Sequence, residues 1–190
     1  NRDLIRDGQN GYLLDDAANW AVHAHNLDLI GACLPDSPQT VETRFYLALG
    51  LLRADFAGDD AAQAEANRLA AQAHIEQFRL WSEGCPWNFR HKLLLLEAED
   101  ARARGEDRQA MELYAQAIDA AAEAGYVVCE ALANERYARF WQGLNQRQLA
   151  RNFIREAYFH YRRWGASAKC ARLERQWADT PFRSIETRAA

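Results

Sequence analysis

The sequence predicts an all-α fold of antiparallel helix hairpins stacked in chain order, and three observations predict it. Alanine supplies about a fifth of the 190 residues and proline only 4, a composition of helices rather than strands. Glycines recur at the ends of apolar patterns of helical period, where a left-handed residue closes a helix. No segment sustains the two-residue alternation of a half-buried strand.

The elements follow in order. Residues 1–38 form an N-terminal helical segment in which Asp15 or Asp16 caps a helix through about Cys33, and Leu34-Pro35-Asp36-Ser37-Pro38 breaks it. Thr40 opens a helix to Ala57, halted by Gly58-Asp59-Asp60. An alanine-rich helix then runs to Glu83 and stops at Gly84-Cys85-Pro86. Helices from Asn88 to Arg104 and from Asp107 onward end at Gly105 and Gly125. The next spans Val127 to Gln142, with Gly143 at its end. Asn145 caps one to Trp164, ended by Gly165, and a last helix covers Ser167 to Trp177 before Thr180-Pro181. Linkers this short make successive helices antiparallel neighbours. Residues 39–178 are thus a helical repeat array, and 179–190 a C-terminal tail or linker.

Internal repetition sharpens the class. Ala110, Tyr114 and Ala117 stand four and three apart, and Ala150, Ile154 and Ala157 repeat that spacing forty residues later. Ala62, Ala66 and Leu69 give an earlier copy. Small–large–small at these intervals is the pattern of the second helix of a tetratricopeptide-like hairpin, where small residues let helices approach and the large one fills the gap. The period stretches to nearly fifty at the first copy. The predicted fold is a tetratricopeptide-like α-α superhelix. Leu93-Leu94-Leu95-Leu96 supports stacking independently, since four consecutive leucines cover most of a helix circumference and require burial on two sides.

Composition removes other classes. With 49% hydrophobic and 26% charged residues the chain is no disordered tail, and no apolar run approaches a membrane span. Cys33, Cys85, Cys129 and Cys170 are too widely separated for a zinc or redox motif, which points to reduced structural thiols and a cytoplasmic protein. The only methionine is Met111 and the chain starts at Asn1, as expected of a domain from a longer protein. The net charge of −4 is uneven: residues 1–100 hold 16 acidic against 8 basic side chains, residues 101–190 hold 11 against 15. From Ala133 to Arg175 ten basic residues, nine of them arginine, face only Glu135, Glu156 and Glu174. Lysine occurs only at 92 and 169. The arginine excess reads first as a solvated helix face and second as a surface for an anionic partner.

Candidate chemistry is sparse. No phosphate-cradling glycine loop occurs. His23 and His25 point to different helix faces, and Glu156 with His160 lacks the further ligands of a carboxylate-bridged metal bundle. Glu97, Glu99 and Asp100 read first as a solvated acidic face or as salt-bridge partners of Arg102 and Arg104, and second as an acid pair in a groove. Cys85 and His91 raise a thiolate–imidazole pair, because a nucleophilic cysteine needs a nearby base and favours a helix N-terminus. Six residues of separation argue instead for a packing corner of Pro86, Trp87 and Phe89. Tyr137, Phe140, Trp141, Phe153, Tyr158, Phe159, Tyr161 and Trp164 interleave with arginines. Such a set can stack nucleic-acid bases, or else form core with arginine stems lying over it.

A further signal lies in Cys85-Pro86-Trp87-Asn88-Phe89-Arg90-His91-Lys92 ahead of the leucine run, then Ala110-Met111-Glu112-Leu113-Tyr114, Ala131-Leu132-Ala133-Asn134-Glu135 and Tyr161-Arg162-Arg163-Trp164-Gly165-Ala166. With Phe45-Tyr46-Leu47-Ala48-Leu49, this series resembles the helical repeat region of large bacterial multidomain signalling proteins. Those combine a serine/threonine kinase-like domain, a STAND-class ATPase, the helical array and a GAF sensor with a histidine kinase or other output. The resemblance covers about residues 42–178 and implies a non-enzymatic regulatory and protein-interaction module in such a parent. It implies protein or intramolecular domain partners, no cofactor and no catalytic, cofactor-binding or metal residues in this region. The alternative is a small ligand-binding or enzymatic helical domain using Cys85 and His91. Nucleic-acid binding through the arginine-rich C-terminal half ranks behind both, and no membrane partner is expected.

Overall fold

The computed structural model describes residues 38–52 and 61–182; the expected Asp15–Cys33 helix, the turn at Gly58 and residues from 183 onward lie outside the described residues. Seven helices occur there: α1 (Pro38–Leu51), α2 (Ala61–Gly84), α3 (Pro86–Ala103), α4 (Asp107–Glu123), α5 (Val127–Gly143), α6 (Arg147–Trp164) and α7 (Ser167–Gln176), with no strand among the described residues. The all-α tetratricopeptide-like class is the one the sequence predicts. The chain divides into two compact units, Asn1–Gln116 and Ala117–Ala190, the boundary falling within α4.

In the first unit α1, α2 and α3 pack mutually. The helix expected from Thr40 begins at Pro38, whose fixed φ suits a first helical turn and whose missing N–H costs nothing there. Phe45 and Leu49 are fully buried, and Phe45 meets Phe78 of α2 edge-on at 6.0 Å. Pro86 opens α3 directly after Cys85. All four leucines of the run are buried, together with Ala98 and Ala101, because α3 packs against both α1 and α2. Burying a leucine is worth about 2 kcal/mol, so this helix is the apolar centre of the unit.

In the second unit α5 packs along α6, and α7 closes onto α6. Its core joins Ala131 and Ala138 of α5, Ile154, Ala157, Tyr158 and Tyr161 of α6, and Cys170 and Leu173 of α7. Phe182 belongs to the same core, stacked on Tyr158 at 4.6 Å. Packed structure therefore continues past residue 178, and the tail expected from 179 is pinned at its start by an aromatic ring leaving water.

The repeat is more regular than its sequence suggests. Ala110, Tyr114 and Ala117 are all fully buried, and so are Ala150, Ile154 and Ala157. Ala62, Ala66 and Leu69 are exposed, however, and α2 instead buries Ala71, Ile75 and Phe78 at the same four-and-three spacing. That register restores a period near forty, and the apparent stretch toward fifty disappears.

Turns obey the half-period. Gly105, Gly125, Asn145 and Gly165, each twenty residues after the last, have φ of 75°, 74°, 58° and 89°. Behind each, a long backbone bond closes the preceding helix: Glu106 N–H to Ala101 O, Tyr126 N–H to Ala121 O, Gln146 N–H to Trp141 O and Ala166 N–H to Tyr161 O, all 2.9 Å. This is the Schellman closure, which satisfies carbonyls the helix leaves open. Asn145, expected as the N-cap of α6, thus closes α5 instead, and Gln146 takes the N-cap position. Asparagine is the non-glycine residue that best tolerates the left-handed region.

Candidate functional site

Among the described residues, buried charged side chains form ion pairs in both units. In the second, Glu135 stands on α5 in the middle of eight consecutive buried residues, Ala131 to Ala138. Tyr161 of α6 donates its hydroxyl proton to Glu135 Oε2 at 2.9 Å, and Lys169 of α7 approaches both carboxylate oxygens at 3.0 and 3.1 Å. Arg139 adds a bond at 3.2 Å to Oε1 and reaches Gln176 of α7 at the same distance. Burial alone would push the Glu135 carboxyl up, but Lys169, then Arg139, with Arg136 behind them, outweigh it and hold it at about 2. The carboxylate is saturated by donors and joins three helices. It cross-links α5, α6 and α7.

The first unit repeats the theme. Lys92 of α3 pairs with Glu42 of α1 and lies 5.6 Å from the centre of the Phe45 ring. Buried Glu99 holds Arg102 at 3.0 Å, and Arg102 donates to the Leu52 carbonyl at 2.8 Å, beyond the end of α1. Asp100 pairs with Arg104 at 3.4 Å and with Arg68 of α2 at 3.5 Å, while Glu97 takes Arg79 of α2 at 2.6 Å. The expected ion-pair role of the acidic cluster is correct for Arg102 and Arg104. Its expected solvation is not, since Glu99 and Asp100 are buried.

A simple signal marks both clusters. The chain has 23 basic residues and only two are lysine. Lys92 and Lys169 are both nearly buried, each bridges to a carboxylate on another helix, and each lies over an aromatic ring, 5.4 Å from Tyr161 in the second case. A flexible stem with a compact charge can thread a crowded interior where a planar guanidinium cannot.

Cys85 and His91 occupy different environments. Cys85 is the half-buried N-cap residue of α3, while His91 is 2% exposed inside that helix. Six residues amount to about 9 Å of rise along the axis, so the fold does not make them a nucleophile–base pair. Burial, with Lys92 adding repulsion, lowers the His91 imidazole to about 4, which leaves a neutral, weak base near pH 7. The packing corner is built differently from expectation. Phe89 packs on Trp81 and Phe78 at 5.4 and 6.4 Å, whereas Trp87 is 62% exposed. The fold sends its ring outward.

Of the C-terminal aromatics, Tyr137, Phe140, Tyr158 and Tyr161 are core, and Phe159 and Trp164 are exposed on α6 beside Arg162 and Arg163. Trp141 and Phe153 of the same set are half-buried. His160 pairs with Glu130 of α5 at 3.2 Å rather than with Glu156. Among the described residues no group of three metal-ligating side chains converges, and no helix is long and apolar enough to cross a membrane. The depression lined by Glu106, Asp107, Arg108 and Glu112 is an open hollow along the first turns of α4. Exposed large apolar side chains stand at Leu69 and Leu80 on α2, at Trp87 in the first turn of α3, and at Phe159 and Trp164 on α6.

No curated protein and no solved structure matches the chain. A family model described as CHK1-like, TPR repeats, matches residues 27–180, which takes in all seven helices. With its forty-residue period of buried triads, the chain belongs to the family of CHK1-like TPR repeats.

Proposed function

We propose that the chain is a non-enzymatic regulatory and protein-interaction module of a larger bacterial signalling protein, lying between a STAND-class ATPase and a GAF–histidine kinase or other output. The observation that supports this reading most is where polarity goes. The buried charges at Glu135 and Glu99 are spent on holding helices together, while leucine, tryptophan and arginine side chains are left on outer faces. Repeat arrays bind through such extended faces, and the arrangement suits contact with protein or with neighbouring domains of the same chain. The array occupies residues 39–178 in this reading, and its setting is the cytoplasm, in keeping with widely spaced cysteines.

The test has two arms. The coding sequence flanking the region should encode the nucleotide-binding and kinase-like domains upstream and a sensor or output domain downstream; stop codons directly bounding the array would refute it. In the intact parent, in-frame removal of the array should leave ATP hydrolysis within a few-fold but uncouple it from output phosphorylation. Unchanged coupling would refute a regulatory role.

A further inference from the structure

We infer that one side of α6, formed by Arg151, Arg155, Phe159 and Arg162, docks an acidic segment of a partner protein. Carboxylates of that segment meet the arginines and an apolar side chain meets the phenylalanine, a partner chemistry that rests on the protein-interaction reading above. Elsewhere the chain neutralises its arginines locally. Arg68, Arg79, Arg102, Arg104, Arg108 and Arg139 each pair with a carboxylate three or four positions away along the chain. α6 breaks that habit, with five arginines and the single glutamate Glu156. Among the described residues no ion pair or hydrogen bond holds the side chains of Arg147, Arg151, Arg155 or Arg163. Arg147, Arg151 and Arg155 follow at intervals of four, where like charges destabilise a helix. A pattern that works against stability is expected where a surface serves a partner.

The packing of α6 sets this surface. Ala150, Ile154, Ala157 and Tyr161 are buried and turn one face of the helix inward. Arg151, Arg155, Phe159 and Arg162 follow at intervals of four, four and three, so they share a neighbouring face about 16 Å long. Phe159 is 45% exposed between the arginines. Arg155 is packed down, its Nε shielded from water with no hydrogen-bond partner among the described residues. Its charge is thus held in place without being neutralised, and ordering it on binding costs little. A guanidinium so held suits the planar fork of a carboxylate. Glu156 stands exposed next to Arg155 and repels a continuous phosphate backbone or an anionic lipid surface, whereas a peptide can set its carboxylates away from it. The net charge of −4 on the whole chain adds to that repulsion, which grows with the charge of the partner.

Fluorescence anisotropy with the full chain tests the proposal. The probe is a fluorescein-labelled peptide that alternates glutamate pairs with single leucines, compared with the same peptide carrying glutamine for glutamate. The glutamate peptide should bind about tenfold more tightly than the glutamine one, and more weakly as salt rises. Arg151→Gln combined with Arg155→Gln should weaken it about tenfold, and Phe159→Ser about fivefold. Arg108→Gln on α4 should leave it unchanged, with far-UV circular dichroism reporting the fold of each variant. Equal binding of the two peptides, no binding of the glutamate peptide, or an affinity indifferent to the arginine pair would overturn the proposal. So would tighter binding, through the same arginines, of oligothymidylate or of phosphatidylserine vesicles. Loss of coupling on removal of the array, with no binding of the peptide, would reject the acidic partner and leave the interaction reading standing.

Discussion

Neutralising Glu135 should cost more than any other single polar change in the second unit. Its carboxyl sits at about 2 in the fold against an ordinary 4.5. Each tenfold in proton affinity is worth about 1.4 kcal/mol, so the ionised form contributes about 3 kcal/mol, a large share of a domain's 5–15 kcal/mol. Glu135→Gln keeps the size but leaves Lys169 and Arg139 facing a neutral amide, and breaking a buried pair from one side costs a similar amount. Because the folded carboxyl is the stronger acid, its contribution is complete above about pH 4.5 and is lost as the pH falls toward about 2.

Urea unfolding followed by circular dichroism measures this at pH 7 and at intervals down to pH 3. The midpoint of Glu135→Gln at pH 7 should fall by about 1–2 M, and its gap from the parent should shrink steadily below pH 4.5. Other carboxylates titrate in both proteins, so the gap rather than either curve is diagnostic. Glu156→Gln, at an exposed carboxylate on α6, should change stability by no more than about 0.5 kcal/mol. A Glu135→Gln midpoint equal to the parent's at pH 7, or a gap constant down to pH 3, would refute the cross-linking role.

Other outcomes follow from the same structure. Leu96→Ala, at a fully buried position, should cost about 2–5 kcal/mol by urea unfolding. Asn145→Ala should lose about 1 kcal/mol, the strain of an ordinary side chain at φ 58°, while Asn145→Gly should be at least as stable as the parent. His91 binds its proton only near pH 4 when folded against an ordinary 6.5. Stability should therefore fall as the pH drops from about 6.5 to 4, and His91→Phe should remove that part of the dependence. Cys85→Ala should cost no more than about 1–2 kcal/mol, and alkylation of Cys85 at pH 6 should be unaffected by His91→Ala; rapid alkylation abolished by that change would restore the enzyme reading.

How much of this was legible in the sequence depends on which force acts at each position. Helix ends were readable where glycine acts locally: Gly105, Gly125 and Gly165 adopt the left-handed conformation, whereas Gly84 and Gly143, also expected to end helices, are the last helical residues of α2 and α5 without it. Asn145 escaped because asparagine serves equally at an N-cap and in the left-handed turn, and only the register of its neighbours decides between them. The leucine run could be read as buried on two sides because four consecutive leucines leave no polar face. The triad of α2 could not, since Ala62-Ala66-Leu69 and Ala71-Ile75-Phe78 have the same spacing on one long helix. Only the reach of α1, fixed by Phe45 against Phe78, selects the second. The ionic clusters were the least visible part. A glutamate within an apolar stretch looks like a surface residue until the lysine that neutralises it arrives from another helix, 34 positions along the chain at Lys169. Charge pairing at that separation leaves no local period. Its trace is compositional, in a chain with 21 arginines and only two lysines, both of which lie nearly buried against a carboxylate of another helix.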